Sequence, residues 1–76
     1  MEADLEKYIG QNPVEGRKWI RCADRQPEKS GRYLVITTRR DGYLMNSYLW
    51  NGGYWVTNGG SPSQAVVAWL DEGGNG

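Results

Sequence analysis

The chain has 76 residues, nine Lys/Arg against nine Asp/Glu, no His and a single Cys, so its formal net charge is zero. A chain this short makes one small domain and buries only roughly 60% of its unfolded surface. Four Trp and five Tyr partly compensate, since each aromatic buries on the order of 150–250 Å². The absence of His removes the commonest general base and metal ligand, and the lone Cys22 has no partner for an internal disulfide.

Charge is unevenly spread. Residues 1–16 set Lys7 against Glu2, Asp4, Glu6 and Glu15, whereas eight of the nine Lys/Arg fall within residues 17–40, beside Asp24 and Glu28 only. Such a basic middle is either a footprint for an anionic partner or is neutralised by the acidic ends of the same chain. No run of ~18 apolar residues marks a membrane span, and the start MEADLEKY lacks the basic region of a signal peptide. The expectation is a soluble protein of the cytoplasm, the host cell's cytoplasm if a phage encodes it.

In chain order, Leu5, Tyr8 and Ile9 share one helical face. A helix this short is marginal alone, so it docks or frays; Gly10 and Pro13 stop it, and residues 1–16 form a helix and linker. After KWIRC, Pro27 and Gly31 punctuate a turn-rich stretch. RYLVITT reads as a strand, YLMNSYLW as its return, YWVT as a third strand and AVVAWL as a fourth. Asp41-Gly42 and Asn51-Gly52 are the favoured two-residue hairpin turns. A phosphate-cradling glycine loop would open a helix; YWVT follows one Asn-Gly-Gly and SPSQ the other, so Asn51-Gly52-Gly53 reads as a turn and Asn58-Gly59-Gly60, like SPSQ, as plain loop.

The fold class is therefore mainly β (a small α+β domain): a twisted antiparallel β-meander of three to four strands with a short N-terminal helix. The β domain spans 17–71 and a flexible tail 72–76. Strands are expected near 32–39, 43–50, 54–57 and 65–70. With these turns, Leu49 lies opposite Leu34 and Tyr54, and Tyr48 between Val35 and Trp55. One face then carries Leu34, Ile36, Met45, Leu49, Tyr54 and Val56. The other carries Tyr33, Val35, Leu44, Tyr48, Trp50 and Trp55, with Arg39 at its turn end. Both faces are more apolar than a singly covered sheet requires. Either Trp19, Trp69 and the helix cover the aromatic face, or it is a docking surface, through which the chain also could dimerise.

Catalysis needs a nucleophile with its base, or two placed carboxylates. Asp41 belongs to a turn, and Asp24 and Glu28 are expected to ion-pair with Arg21, Arg25 or Lys29. Arginines flank Cys22, yet no His accompanies it, so an idle or buried thiol is expected. The chain is read as no enzyme, with no cofactor and no metal site. Arg32, Arg39 and Arg40 near Tyr33, Trp50 and Trp55 resemble a single-strand stacking platform, although a sequence pI of about 6.2 argues against a strongly basic nucleic-acid domain.

The stretch WIRCADRQPEKSGRYLVI, then NGGYW and the closing VVAWL, is similar to a small phage and prophage family, domain of unknown function 551. That family has W-I-x-V, a D-R-L-P-E-type turn with Gly, a V-L-V strand, a G-x-W and a closing T-H-W-M-P-L-P. Trp19, Ile20, Asp24, Arg25, Pro27, Glu28, Gly31, Leu34, Val35, Trp55 and Trp69 match it, over about residues 18–70. Gln26 replaces an apolar residue, Ala68 the His before Trp, and DEGGNG the Pro-rich end. The resemblance implies a phage or prophage context and carries no activity with it. The expected function is a non-catalytic accessory protein that binds a host protein complex, as an anti-defence, anti-CRISPR-like inhibitor. The alternative is single-stranded nucleic-acid or nucleotide binding. The candidate partner-binding residues are Tyr33, Arg39, Arg40, Tyr48, Trp50 and Trp55.

Overall fold

The computed structural model describes residues 2–71; the expected tail 72–76 lies outside the described residues. It is mainly β, with one short helix and one antiparallel sheet of six strands. The elements are α1 (Glu2–Gln11), β1 (Trp19–Arg21), β2 (Gly31–Arg39), β3 (Gly42–Trp50), β4 (Trp55–Val56), β5 (Pro62–Ser63) and β6 (Val66–Leu70).

α1 docks by the face its spacing implies, with Leu5 buried and Tyr8 and Ile9 half-buried. It runs through Gly10, and Pro13 follows just beyond its end. Asn12 closes the last turn: its Nδ2 donates to the Tyr8 carbonyl at 2.8 Å and its backbone N–H to Ile9 at 3.1 Å. This satisfies carbonyls that a helix end leaves orphaned. Trp19 Nε1 then donates to the Asn12 carbonyl at 2.9 Å, tying the helix exit to β1.

Strands β2, β3, β4 and β5 follow one another as an antiparallel meander, but the whole order β1-β6-β2-β3-β4-β5 departs from one at β6. β6 returns to lie between β1 and β2, pairing Trp69 with Ile20 on one side and with Val35 on the other. Apolar side chains on both faces suit β2 and β6 to the middle of the sheet, where Val35, Ile36, Ala68, Trp69 and Leu70 are all buried.

Both expected turns are displaced by one residue. β2 and β3 pair with Arg39 opposite Gly42, so Arg40 and Asp41 are the turn residues; neither has positive φ, and the left-handed step falls on Gly42 at φ 149°. After β3, the Asn51 N–H donates to the Tyr54 carbonyl at 3.2 Å around Gly52-Gly53. Gly52 takes φ 97°, while Asn51 Oδ1 accepts from the N–H groups of Gly53 and Tyr54, each at 2.9 Å. Placing positive φ on glycine avoids the strain of a left-handed Asn or Asp.

Leu49 consequently stands opposite Arg32 and Val56, not Leu34 and Tyr54, and Tyr48 opposite Tyr33 rather than between Val35 and Trp55. Tyr54 belongs to the turn. Moving a turn by one residue shifts each strand pair by two, and a two-residue slip leaves every side chain on its original face.

Asn58-Gly59-Gly60 also departs from the plain loop expected: it closes the β4–β5 hairpin. Thr57 and Ser61 bracket it, with the Thr57 N–H donating to Ser61 at 2.7 Å and Gly60 at φ 90°. A three-residue hairpin loop wants its left-handed residue at this last position.

Only Gln64 and Ala65 join β5 to β6. Three residue steps reach at most about 11 Å, yet four flat interstrand spacings from β5 to β6 would span about 19 Å. The sheet must therefore coil about its aromatic face. Thr38 N–H donating to Ala65 at 2.9 Å marks where the returning chain meets β2.

Candidate binding surface

The coil encloses the aromatic face. Val35, Trp50, Trp55, Val66 and Trp69 form one buried cluster, with Ile20, Cys22, Tyr33 and Tyr48 packed against it. The rings meet edge-on or tilted: Trp50 and Trp55 have centroids 5.0 Å apart at 56°, Tyr33 and Trp69 5.4 Å at 78°, and Tyr33 and Trp55 6.0 Å at 88°. Such geometry sets positive ring edges against negative faces.

The segment 22–30 lies over this cluster. Trp69 Nε1 donates to the Arg25 carbonyl at 3.0 Å, Tyr33 Oη donates to the Lys29 carbonyl at 2.8 Å, and Pro27 is buried. Trp69 thus covers the aromatic face, as one expectation had it, whereas α1 and Trp19 pack on the opposite face against Ile36, Ala68, Met45 and Tyr43.

Of the six candidate binding residues, Trp50 and Trp55 are only 6% and 4% exposed. Tyr33 and Tyr48 are half-buried on the same cluster. Arg39 and Arg40 are exposed at the β2–β3 turn and make no ion pair among the described residues. The structure therefore groups the four aromatics inside and leaves the two arginines apart from them. Arg32, on the helix side of the sheet, donates to Asn58 Oδ1 at 2.8 Å and to the Ser47 carbonyl at 3.2 Å.

Part of the basic middle is neutralised by the chain ends. Arg21 pairs with Glu6, and Arg25 with Asp71 at 3.7 Å, in place of the expected pairs with Asp24 and Glu28. Arg25 also sits over the Trp69 ring, 5.3 Å from its centroid. Arg39 and Arg40 keep their charge beside Lys7 in a groove of about 600 Å³ between α1 and the β2–β3 turn. Asp4 and Asp41 share that groove, and Tyr8 and Tyr43 line it with ring centroids 5.5 Å apart.

Cys22 is half-buried, packed against the aromatic cluster. Burial pushes its thiol up from 9.0 to about 11, an effect that the Trp55 N–H, able to stabilise a thiolate, partly opposes. Trp55 Nε1 is itself buried with no hydrogen-bond partner, so a neutral thiol leaves this donor unsatisfied. A thiol raised this far is a poor nucleophile at neutral pH.

Sequence reasoning passed over a different surface. Leu44, Leu49 and Tyr54 are exposed by 42%, 38% and 52%, on β3 or in the turn after it. The signal was the uncharged run GYLMNSYLW, in which alternation alone does not say which residues the rest of the chain leaves uncovered.

Among the described residues no group of His, Cys, Asp and Glu could hold a metal ion, and no helix is long and apolar enough to cross a membrane. No family model, curated protein or solved structure matches this chain.

Proposed function

We propose that this protein is a non-catalytic binding module of phage or prophage kind, which docks on a host protein complex as an anti-defence, anti-CRISPR-like inhibitor. The observation that carries the protein-binding part is the exposure of Leu44, Leu49 and Tyr54 along β3 and the turn after it, with Leu44 and Leu49 on opposite faces of the strand. Tyr is enriched where interfaces concentrate their energy, and charged side chains are depleted from interface centres. The phage context rests on the order of the motifs WI, DRQPE, GRYLV and VVAWL.

Capture from bacterial host lysate, followed by mass spectrometry, tests this reading. The expected result is a specific partner lost with Leu49→Asp and Tyr54→Ala together. Recovery of no specific protein, alongside tight oligonucleotide binding, would overturn it.

Single-stranded nucleic-acid or nucleotide binding is the second reading, favoured by Arg39 and Arg40 beside the Tyr8–Tyr43 pair. The stacking residues would then be those tyrosines, since Trp50 and Trp55 lie in the core. Phosphate contacts require affinity to fall steeply with salt. Oligonucleotide binding insensitive to salt, or to Arg39→Ala with Arg40→Ala, excludes it.

A further inference from the structure

β3 pairs with β2 along its nine residues, from Gly42 to Trp50, but β4 covers only Leu49 and Trp50 on its other side. The Asn51 N–H donates toward β4, to Tyr54. Main-chain groups alternate sides along a strand, so Leu49, Ser47 and Met45 point the same way as Asn51. From Ser47 toward Met45, no strand among the described residues lies opposite them. The Ser47 carbonyl accepts from Arg32; the Ser47 N–H and the N–H and C=O of Met45 face out from the sheet.

Natural sheets blunt such edges with charge, proline, bulges or brevity. β5 is two residues long and contains Pro62, and β1 is three residues long and carries Arg21. β3 itself supplies none of these devices: GYLMNSYLW contains no charge and no proline, and its register with β2 is unbroken, the Arg32 guanidinium on the Ser47 carbonyl being the charge brought to this edge from β2. Leu44 and Leu49 stand exposed along it, on opposite faces.

We propose that this open edge receives an extended, acidic segment of a partner protein, which adds a strand beside Met45 and Ser47. The chemistry of the segment follows from the neighbouring groove. Lys7, Arg39 and Arg40 outnumber Asp4 and Asp41 there, and none of the five is ion-paired among the described residues. A carboxylate at one end of the added strand meets that excess, while main-chain hydrogen bonds supply the affinity common to strand addition.

A second copy of this chain fits the edge poorly. In a symmetric antiparallel pair centred on Met45, Tyr48 of the copy stands opposite Gly42. The β4–β5 hairpin of the copy, which continues beside its Tyr48, then occupies the space of the Arg40–Asp41 turn. A lone strand has no hairpin to collide.

This inference rests on the protein-binding reading and is tested separately from it. Isotope-labelled full-length protein is titrated with synthetic peptides of alternating Thr and Val, ending in two Asp or in two Lys. The Asp peptide is expected to shift the Met45 and Ser47 amides and to slow their hydrogen exchange by about tenfold or more. Its advantage over the Lys peptide disappears with Arg39→Ala and Arg40→Ala. Met45→Pro removes an outward N–H at a position where an edge tolerates proline and should abolish binding with the fold retained. Should that variant not fold, the same peptide N-methylated at alternate residues must fail to bind the unaltered protein. Binding that leaves both amides unchanged, no binding at about 1 mM, or a dimer with the Met45 amide already protected overturns the proposal. If lysate capture succeeds and folded Met45→Pro captures equally well, strand addition falls while protein binding stands.

Discussion

Trp69 and Arg25 hold each other in two ways: the indole N–H donates to the Arg25 carbonyl at 3.0 Å across 44 residues of sequence, and the Arg25 guanidinium lies 5.3 Å from the same ring. The contact fastens the 22–30 segment over the aromatic cluster. Trp69→Phe keeps a ring but strands the carbonyl, and should cost about 1–3 kcal/mol in urea unfolding. Arg25→Ala should cost about 0.5–1 kcal/mol, because the cation is largely solvated. Equal, negligible losses would show that the segment is not held by this pair.

Ile36→Ala should destabilise by about 2–5 kcal/mol, since the side chain is fully buried between α1 and the sheet. Leu49→Ala should cost less than about 1 kcal/mol, as expected of a partly solvated position. In a domain this small the first loss approaches the whole stability. Thermal and urea midpoints of the two variants, compared side by side, check the difference.

Leu5→Ala should release α1 without unfolding the sheet. Leu5 is the buried anchor of the helix, and ten residues do not hold a helix in water without packing. Amide exchange across residues 5–11 should quicken while the Val35 and Ile36 amides stay protected. Simultaneous loss of protection in both would mean that helix and sheet fold as one unit.

Cys22 links stability to alkaline pH. Its thiol titrates near 11 in the folded chain against 9.0 without burial, so the folded state holds the proton more tightly. The contribution is fully present below about 9 and is lost as pH rises toward about 11. The unfolding midpoint should therefore fall over that window, and less steeply in Cys22→Ala. Alkylation of the native thiol should be slow at neutral pH and accelerate on denaturation.

Much of the architecture was legible locally. The period-two runs placed β2, β3, β4 and β6 within a residue or two of their observed ends, and the i, i+3, i+4 spacing of Leu5, Tyr8 and Ile9 chose the docking face of α1. Face assignment also followed from alternation: Ile36 and Met45 share the helix side, Val35 and Trp50 the aromatic side. These are nearest-neighbour properties of a chain whose side chains alternate or wind with a fixed period.

Register, strand order and exposure were decided only by the assembled structure. A two-residue slip preserves both faces, so the apolar pattern could not choose between Leu34 and Arg32 opposite Leu49. That choice fell to Gly42 and Gly52, which carry the positive φ, and to the cross-strand partners. The seat of β6 between β1 and β2 depends on Ile20, Val35 and Trp69 meeting from distant parts of the chain. The coil forced by the two-residue β5–β6 link then turned Trp50 and Trp55 inward and left the edge of β3 before Leu49 without a neighbouring strand among the described residues. Closure of that kind is a property of the whole sheet, which no local stretch of side chains encodes.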